Sequence, residues 1–199
     1  KVAASLDGST ALHNGASQWI TSEAARADGH AWRARACAVL TGVGTVLADQ
    51  PRLDVRAVAT PRQPHAVVLD SRLQTPPDAP VFIAVRACWI YAAGQFCTET
   101  DRAAFAARRQ ALEARGAAVA LLPGADGRVD LKAVLHDLAR RGVNELHVEA
   151  GHTLNGALLD AGLVDELLLY LAPTLLGPGR GMADRAPLAD LAQGIPLEF

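Results

Sequence analysis

The sequence predicts an α/β domain, in which helices flank a largely parallel central sheet. Segments of strand length alternate with segments of helical periodicity along most of the 199 residues. The strand segments, such as 66–69, are almost continuously apolar, which is typical of parallel strands buried on both faces. Half of the residues are apolar, only 20% are charged, and no repeat or low-complexity linker interrupts the chain. We therefore expect a single globular domain over 1–199.

The predicted strands are short apolar segments that lead into turn residues. Most of them are followed within two residues by Gly, Pro, Asp or Ser, which favour turns. One of the neighbouring segments 81–85 and 88–91 is expected to lie at an edge of the sheet. In chain order, the predicted strands are 1–5, 36–41, 66–69, 81–85, 88–91, 118–122, 145–149 and 166–172.

The first helices are predicted from capping residues and glycines. Thr21 or Ser22 is expected to cap a helix over 22–35, with Glu23 in its first turn, where a negative charge suits the helix dipole. A glycine-containing turn then leads into a short helical segment over 46–48.

Two longer helices are predicted in the second half of the chain. The first covers about 101–115, with Asp101 near its start and Gly116 after its end. The second is capped by Asp130, carries an apolar stripe on one face, and ends at Gly142.

The stretch 144–159 combines a strand, a glycine turn and a helix. Thr153 can cap this helix, which Gly162 is expected to end. A strand, a turn at Gly151 and a helix N-terminus together present backbone N–H groups to a phosphate, with Glu149 beside them. An ordinary strand–helix connection remains the alternative, because the dinucleotide-binding pattern G-x-G-x-x-G is absent.

Composition narrows the classes of partner. A net charge of −2 gives no basic surface for nucleic acid or anionic lipid, and no apolar run is long enough to span a bilayer. Cys37, Cys88 and Cys97 form no metal-like pair, and any disulfide scheme leaves at least one thiol unpaired. A reducing cytoplasm is therefore the expected location, without nucleic-acid or membrane partners.

One motif suggests zinc chemistry, but the rest of its signature is missing. His147-x-Glu149 resembles the first part of the zinc deaminase pattern, which also needs P-C-x-x-C downstream. All cysteines lie upstream of His147, so we expect no metal site.

The residues that follow the predicted strands are the best candidates for a binding site. In open parallel sheets, ligands bind outside the carboxyl ends of the strands. Ser71 and Arg72 follow the strand 66–69, and a hydroxyl beside a guanidinium suits the 2′-phosphate of a nucleotide. A solvated turn is the alternative interpretation of this pair.

Several motifs together resemble one family, the reductase domain of the bifunctional riboflavin-biosynthesis deaminase/reductase. The resemblance covers about 1–72 and 144–181, whereas 73–143 matches only in its alternating character. The matching motifs are Lys1-Val-Ala-Ala-Ser-Leu-Asp-Gly8, Ser17-Gln-Trp-Ile-Thr21, the Arg26/Asp28/Arg33 helix, Gly44 to Asp49 with Pro51, Leu53 to Arg56, Val148 to Gly151, Asp165-Glu166 and Ala172-Pro173.

This resemblance implies a three-layer, dihydrofolate-reductase-like fold and a specific reaction. The reaction is the NADPH-dependent reduction of 5-amino-6-(5-phosphoribosylamino)uracil to its ribitylamino counterpart, with hydride transfer to C1 of the opened sugar. The cofactor would carry the hydride chemistry, so no elaborate catalytic triad is expected.

The resemblance also implies roles for individual residues. Lys1 would donate to the developing oxygen, and Glu149 would orient or protonate the substrate. The substrate would contact Ser17, Arg33, Leu53 through its backbone, Arg56 and Glu149. The cofactor would contact Ala3, Trp19, Thr45, Asp49, Ser71, Gly151, His152, Thr153, Leu154, Asn155, Gly156 and Ala157.

Three alternatives to this function remain open from the sequence. They are reduction of the 2,5-diaminopyrimidinone analogue, reduction of a pterin, and a non-catalytic nucleotide-binding or oligomerisation module. Arg33 and Arg56 favour a phosphorylated substrate over a dihydrofolate, which carries no phosphate.

The resemblance further implies a homodimer and a deaminase domain on the same or a separate chain. No deaminase domain is expected within 1–199, and the family's last strands are expected to follow Phe199.

Overall fold

The computed structural model of the chain describes residues 1–83 and 85–198. Its strands are β1 (Val2–Ser5), β2 (Ala11–Leu12), β3 (Ala38–Gly42), β4 (His65–Leu69), β5 (Cys88–Ala92), β6 (Ala117–Leu121), β7 (Leu146–Val148), β8 (Leu169–Ala172) and β9 (Gly179–Arg180). Its helices are α1 (Glu23–Arg35), α2 (Val43–Asp49), α3 (Glu99–Ala114), α4 (Leu131–Arg140) and α5 (His152–Asp160). Two short 3-10 helices cover Ala125–Gly127 and Leu191–Gln193.

A parallel sheet of five strands forms the centre of the fold. Its order is β6-β5-β4-β3-β7, and every neighbouring pair is parallel. A second parallel pair, β1 and β8, adjoins this sheet where the backbone nitrogen of Lys1 donates to Val148 O at 2.9 Å. The short strands β2 and β9 pair antiparallel. The predicted α/β class with a largely parallel sheet is confirmed.

Helices cover both faces of the central sheet, which gives the fold three layers. Along β4, alternate side chains point to opposite faces because successive residues of a strand do so. Ala66 and Val68 join a core cluster that includes Phe105 of α3, while Val67 belongs to a cluster that includes Val134 of α4. The continuous apolar sequence of β4 thus reflects burial on both faces.

The helix caps follow the sequence closely. The Ser22 side chain accepts from Ala25 N at 3.2 Å and begins α1, and Asp130 accepts from Ala133 N at 3.0 Å and begins α4. Helix α3 begins two residues earlier than predicted, because Thr98 caps it by accepting from Asp101 N.

Four predictions of local structure were wrong. Residues 81–83 and Val85 form no strand, and Ala84 lies outside the described residues. The neighbouring segment forms β5, which lies between β4 and β6, so the predicted edge strand is not found among the described residues of either segment. Val81 is nevertheless fully buried in the core, so its apolar neighbourhood reflects packing and not strand pairing. Gly151, not Thr153, is the N-cap of α5, and no side chain caps this helix.

The fourth wrong prediction concerns the last strand, 166–172, which is shorter than expected because β8 begins at Leu169. Strands β2 and β9 have two residues each and give no periodic signal in the sequence. Within 1–83 and 85–198, no helix has both the length and the apolar character needed to cross a bilayer.

Candidate active site

A cleft of about 720 Å³ opens where β3 and β7 end. The chain leaves β3 at Gly42 and enters α2, and it leaves β7 at Glu149 and turns into α5, so both connections line the cleft. Residues at the start of β1 and in the β2–β9 strand pair complete its wall. The carboxyl ends of parallel strands thus form the site, as in other open α/β sheets.

Glu149 is held at this cleft by an arginine from a distant helix. Arg33 of α1 donates to both carboxylate oxygens, through Nε at 2.5 Å and through a terminal nitrogen at 2.8 Å. Each side chain is only 15% exposed. Arg33 also donates to Asp54 O at 2.9 Å, so its guanidinium joins three separate segments of the chain.

This ion pair fixes the charge of Glu149. Burial alone would raise the pKa of the carboxyl, but the hydrogen bonds and the charge of Arg33 outweigh burial and hold the pKa well below its usual range. His147 Nε2 lies 3.3 Å from the same carboxylate, without the geometry of a hydrogen bond. Glu149 is therefore ionised at neutral pH, and it serves as a hydrogen-bond acceptor and not as a proton donor.

Lys1 lies beside Glu149 at the cleft wall. Its ammonium nitrogen stands 5.6 Å from the centre of the Tyr170 ring, which is within the range of a cation–π contact. The Tyr170 hydroxyl in turn donates to Asp28 of α1. Lys1 thus brings a positive charge to the same cleft as the carboxylate of Glu149.

A second group of charges lies in the loop between α2 and β4. The carboxylate of Asp54 is nearly buried and accepts from Arg56 at 2.6 Å and from Arg52 at 2.8 Å. Both guanidiniums remain largely exposed. Leu53 adopts a left-handed conformation, with φ of 53°, and lines the cleft.

The N-terminus of α5 faces the cleft without a side-chain cap. The first backbone bond of this helix runs from Asn155 N to Gly151 O, so the preceding amides make no bond within the helix. A Cβ atom placed on Gly151 would lie 3.8 Å from the Thr45 hydroxyl, whereas one on Gly44 would meet nothing within 4 Å. The β3–α2 and β7–α5 connections therefore leave open space between them, and the free backbone N–H groups of α5 border this space.

The structure brings most of the predicted site residues together around this cleft. The residues that line it are Lys1, Ala3, Ser17, Arg33, Thr45, Asp49, Leu53, Glu149, Gly151, His152, Thr153 and Leu154. Six predicted residues lie elsewhere, namely Trp19, Arg56, Ser71, Asn155, Gly156 and Ala157.

The predicted residues outside the cleft differ in their surroundings. Trp19 is exposed, and its ring stacks on Arg26, with 4.6 Å from the guanidinium carbon to the ring centre. Ser71 follows β4, at the same end of the sheet as the cleft but one strand further from α5. Arg56 is engaged by Asp54.

The middle of α5 packs against the segment 182–184. Asn155 donates to Met182 O at 2.9 Å, and a Cβ on Gly156 would lie only 2.0 Å from Asp184 O. In this structure the two residues bind the segment 182–184, and a glycine is required where that backbone approaches so closely. That Asn155 and Gly156 contact the cofactor stays a prediction, since in this structure both residues contact the segment 182–184.

Arg180 is a cleft residue that sequence reasoning missed. It lies in β9 and lines the cleft together with Asn14 and Gly15 from the turn after β2. A terminal nitrogen of Arg180 would lie 3.7 Å from a Cβ on Gly15. A pair of two-residue strands from distant parts of the chain gives no sequence signal that could have placed Arg180 here.

Comparisons with known proteins give a consistent result. A model of the family "RibD C-terminal domain" matches residues 1–193. The riboflavin biosynthesis protein RibD of Escherichia coli is 37% identical over 212 residues, which cover 100% of this chain and 54% of the relative.

Two solved structures are similar over nearly the whole chain. Acinetobacter baumannii RibD, form 1, has a TM-score of 0.81 at 35% identity and covers 99% of this chain and 51% of its own. The diaminohydroxyphosphoribosylaminopyrimidine deaminase/5-amino-6-(5-phosphoribosylamino)uracil reductase of Thermotoga maritima has a TM-score of 0.74 at 25% identity, covering 98% and 49%. The chain therefore spans about half the length of the relatives that it matches.

Proposed function

This chain belongs to the RibD C-terminal domain family, and we propose that it is an NADPH-dependent reductase of riboflavin biosynthesis. Its proposed substrate is 5-amino-6-(5-phosphoribosylamino)uracil, and its product is 5-amino-6-(5-phosphoribitylamino)uracil. The observation that carries the proposal is the cleft itself, where ionised Glu149 and the open N-terminus of α5 face the same space.

The cleft suits a nicotinamide dinucleotide. The amides at the start of α5, with the positive end of its dipole, fit a diphosphate, and Thr45 offers a hydroxyl opposite Gly151. We assign the rest of the cofactor contacts to Ala3, Asp49 and the segment 151–154. When bound, the nicotinamide supplies the hydride that reduces C1 of the opened sugar.

The choice of NADPH over NADH rests on Ser71 and Arg72. Both follow β4 at the same end of the sheet as the cleft, and a hydroxyl with a guanidinium suits a 2′-phosphate. Arg72 is exposed, and its carbonyl accepts from Arg108 at 3.2 Å, which holds its backbone in place.

On the substrate side, charge placement assigns the roles. Glu149 is ionised and fixed by Arg33, so it accepts hydrogen bonds and orients the substrate. In the opened sugar C1 is doubly bonded to the amino nitrogen, so hydride addition to C1 leaves an electron pair on that nitrogen. The Lys1 ammonium faces the same cleft and can donate the proton to this nitrogen. We assign the substrate's phosphate to Ser17 and the backbone of Leu53 on the cleft wall, with Arg33 and Arg56 supplying positive charge.

The proposal extends to partners and location. The Thermotoga maritima protein is described as a deaminase and reductase, and this chain covers 49% of it. We propose that a deaminase domain, on the same or a separate chain, supplies the substrate, and that the enzyme is a cytoplasmic homodimer. Light scattering after size-exclusion chromatography tests the dimer directly.

The deciding experiment follows the loss of NADPH absorbance with substrate supplied by a separate deaminase. We expect turnover with NADPH, at least about tenfold less with NADH, and at least about a hundredfold less in Glu149→Gln. The dephosphorylated substrate serves as the control for phosphate recognition. A protein that binds NADPH but reduces none of these pyrimidines would refute the proposed reaction.

A further inference from the structure

Arg86 contacts the loop between α2 and β4, which reaches the cleft at Leu53. One terminal nitrogen of its guanidinium donates to Leu53 O at 2.5 Å and to Pro64 O at 3.2 Å. The other terminal nitrogen donates to Arg52 O and, at 3.3 Å, to Val81 O. A single planar guanidinium therefore holds two consecutive carbonyls of the loop that ends at the cleft.

The neighbouring carbonyls of this loop are also held by side chains. Asp54 O accepts from Arg33 at 2.9 Å, and Val55 O accepts from Gln63 at 2.9 Å. Two of the following amides have acceptors as well, since Val55 N donates to Gln63 Oε1 and Arg56 N to His30 Nδ1. Among the hydrogen bonds that the described residues make, the amides of Leu53 and Asp54 are donors without an acceptor.

The geometry of the peptide bond determines where those two amides point. In a planar trans peptide, the N–H group points away from the carbonyl of the preceding residue. Arg86 binds the carbonyls of Arg52 and Leu53, so the amides of Leu53 and Asp54 both point away from Arg86. The left-handed conformation of Leu53 belongs to the kind of loop in which successive amides converge on an anion.

The burial of Leu53 shows which of its atoms reach the cleft. Leu53 is only 2% exposed, and its side chain packs in the main core cluster. Leu53 nevertheless lines the cleft, beside Pro51 and Arg33. Because the side chain is taken up by the core, we assign the backbone of Leu53 to the cleft wall.

We propose that Arg86 is a positioning residue, which turns the amide of Leu53 toward the cleft so that it binds the substrate's phosphate. The proposal rests on the proposed function, which assigns the phosphate to the backbone of Leu53, and it adds the residue that positions this backbone. It also explains why an arginine occupies a position where all four of its acceptors are carbonyls. A guanidinium can hold two carbonyls in one plane, whereas an ammonium group is a single point charge.

The chain provides a matched control in Arg62. Its guanidinium also holds two consecutive carbonyls, donating to Ala36 O at 2.8 Å and to Arg35 O at 3.1 Å. That contact lies at the end of α1 and does not line the cleft. Arg62→Lys thus removes the same kind of contact at a place where no phosphate is proposed.

The test compares Arg86→Lys, Arg86→Ala and Arg62→Lys in two assays. In Arg86→Lys, we expect KM for the phosphorylated pyrimidine to rise about tenfold or more, because bonds to a charged group are lost. KM for NADPH and KM for the dephosphorylated pyrimidine should each stay within about twofold. A general loss of packing would instead raise all three KM values. Added guanidinium ion should restore part of the lost affinity in Arg86→Ala.

The second assay measures binding of ribose 5-phosphate and of ribose by calorimetry, which needs no turnover. We expect the preference for ribose 5-phosphate to fall about tenfold in Arg86→Lys and to persist in Arg62→Lys. An unchanged preference in Arg86→Lys, or equal losses in both lysine variants, would overturn the inference. If the wild type prefers ribose 5-phosphate and Arg86→Lys loses that preference while no pyrimidine is reduced, the proposed reaction is refuted and the role of Arg86 is supported.

Discussion

Glu149 and Asp137 are both partly buried carboxylates held by arginines, but only Glu149 lines the cleft. Glu149 at the cleft is 15% exposed, and Asp137 of α4 is 18% exposed. Asp137 accepts from Arg141 at 2.7 Å and from Arg140 at 3.1 Å, both on its own helix, and from the Tyr91 hydroxyl of β5 at 2.7 Å. Glu149 instead takes its partner from α1, 116 positions away in the sequence.

The pKa values alone do not distinguish the two sites. Burial opposes ionisation at Asp137 as at Glu149, and hydrogen bonds from Arg141 and Tyr91 outweigh it and lower the pKa of Asp137. What differs is the surroundings, because Glu149 faces an open cleft while Asp137 joins a helix to the sheet. A perturbed carboxylate therefore indicates a functional site only where its environment leaves room for a ligand.

The largest expected effect that follows from this comparison is in Glu149→Gln. The amide has the size of the carboxylate but no charge, so it pairs poorly with Arg33 and orients the substrate poorly. We expect kcat to fall about a hundredfold or more. The matched variant Asp137→Asn should keep kcat within about twofold and lose about 1 kcal/mol of unfolding free energy. Steady-state kinetics and urea unfolding of both variants provide the measurement.

Equal losses of activity in these two variants would contradict the distinction. Such a result would mean that both carboxylates affect catalysis in the cleft, Glu149 directly and Asp137 through the sheet. The unfolding measurement separates this outcome from a simple loss of folded protein.

Much of the fold could be predicted from the sequence because local signals and burial agree. The strand 66–69 is apolar at every position since both faces of β4 are covered, and Ser22 and Asp130 cap the helices that they were expected to cap. The segment 81–85 shows the limit, because Val81 is buried without pairing in a strand. An apolar residue indicates that its position is buried, but it does not indicate the backbone conformation at that position.

The site could be predicted less fully, because its contacts join distant parts of the chain. The resemblance marked both Arg33 and Glu149, but no sequence spacing shows that they form one ion pair. That pair changes the expected role of Glu149 from possible proton donor to ionised acceptor. Arg86 and Arg180 carried no signal, since one acts on backbone carbonyls and the other lies in a two-residue strand.

A smaller effect is expected in Arg33→Met, which removes the partner of Glu149 and keeps the carboxylate. In the wild type the folded pKa of Glu149 lies below its ordinary value of 4.5, so the stabilisation from its charge is complete above that pH and is lost as the pH falls through the folded pKa. Without Arg33, burial dominates and raises the pKa of Glu149.

The variant should therefore lose activity on the acid side at a pH where the wild type is still fully active. We expect about a tenfold loss of kcat/KM near pH 7, with a further decline as the pH falls that the wild type does not show. The pH profile of kcat/KM for both proteins measures this. Parallel profiles would show that Arg33 does not control the ionisation of Glu149.

The smallest effect is expected in Tyr91→Phe, which removes one hydrogen bond to Asp137 and leaves its two arginine contacts. The loss should be about 1 kcal/mol of unfolding free energy, because the carboxylate stays paired and partly exposed. Combined with Asp137→Asn in a double-mutant cycle, it should show a coupling of about 0.5–1 kcal/mol, since each change removes the same bond. KM for NADPH and for the pyrimidine should both stay within about twofold, because Tyr91 is buried on the α4 side of the sheet. A tenfold change in either KM would show that the β5–α4 contact shapes the cleft, and the two carboxylates would then belong to one coupled system.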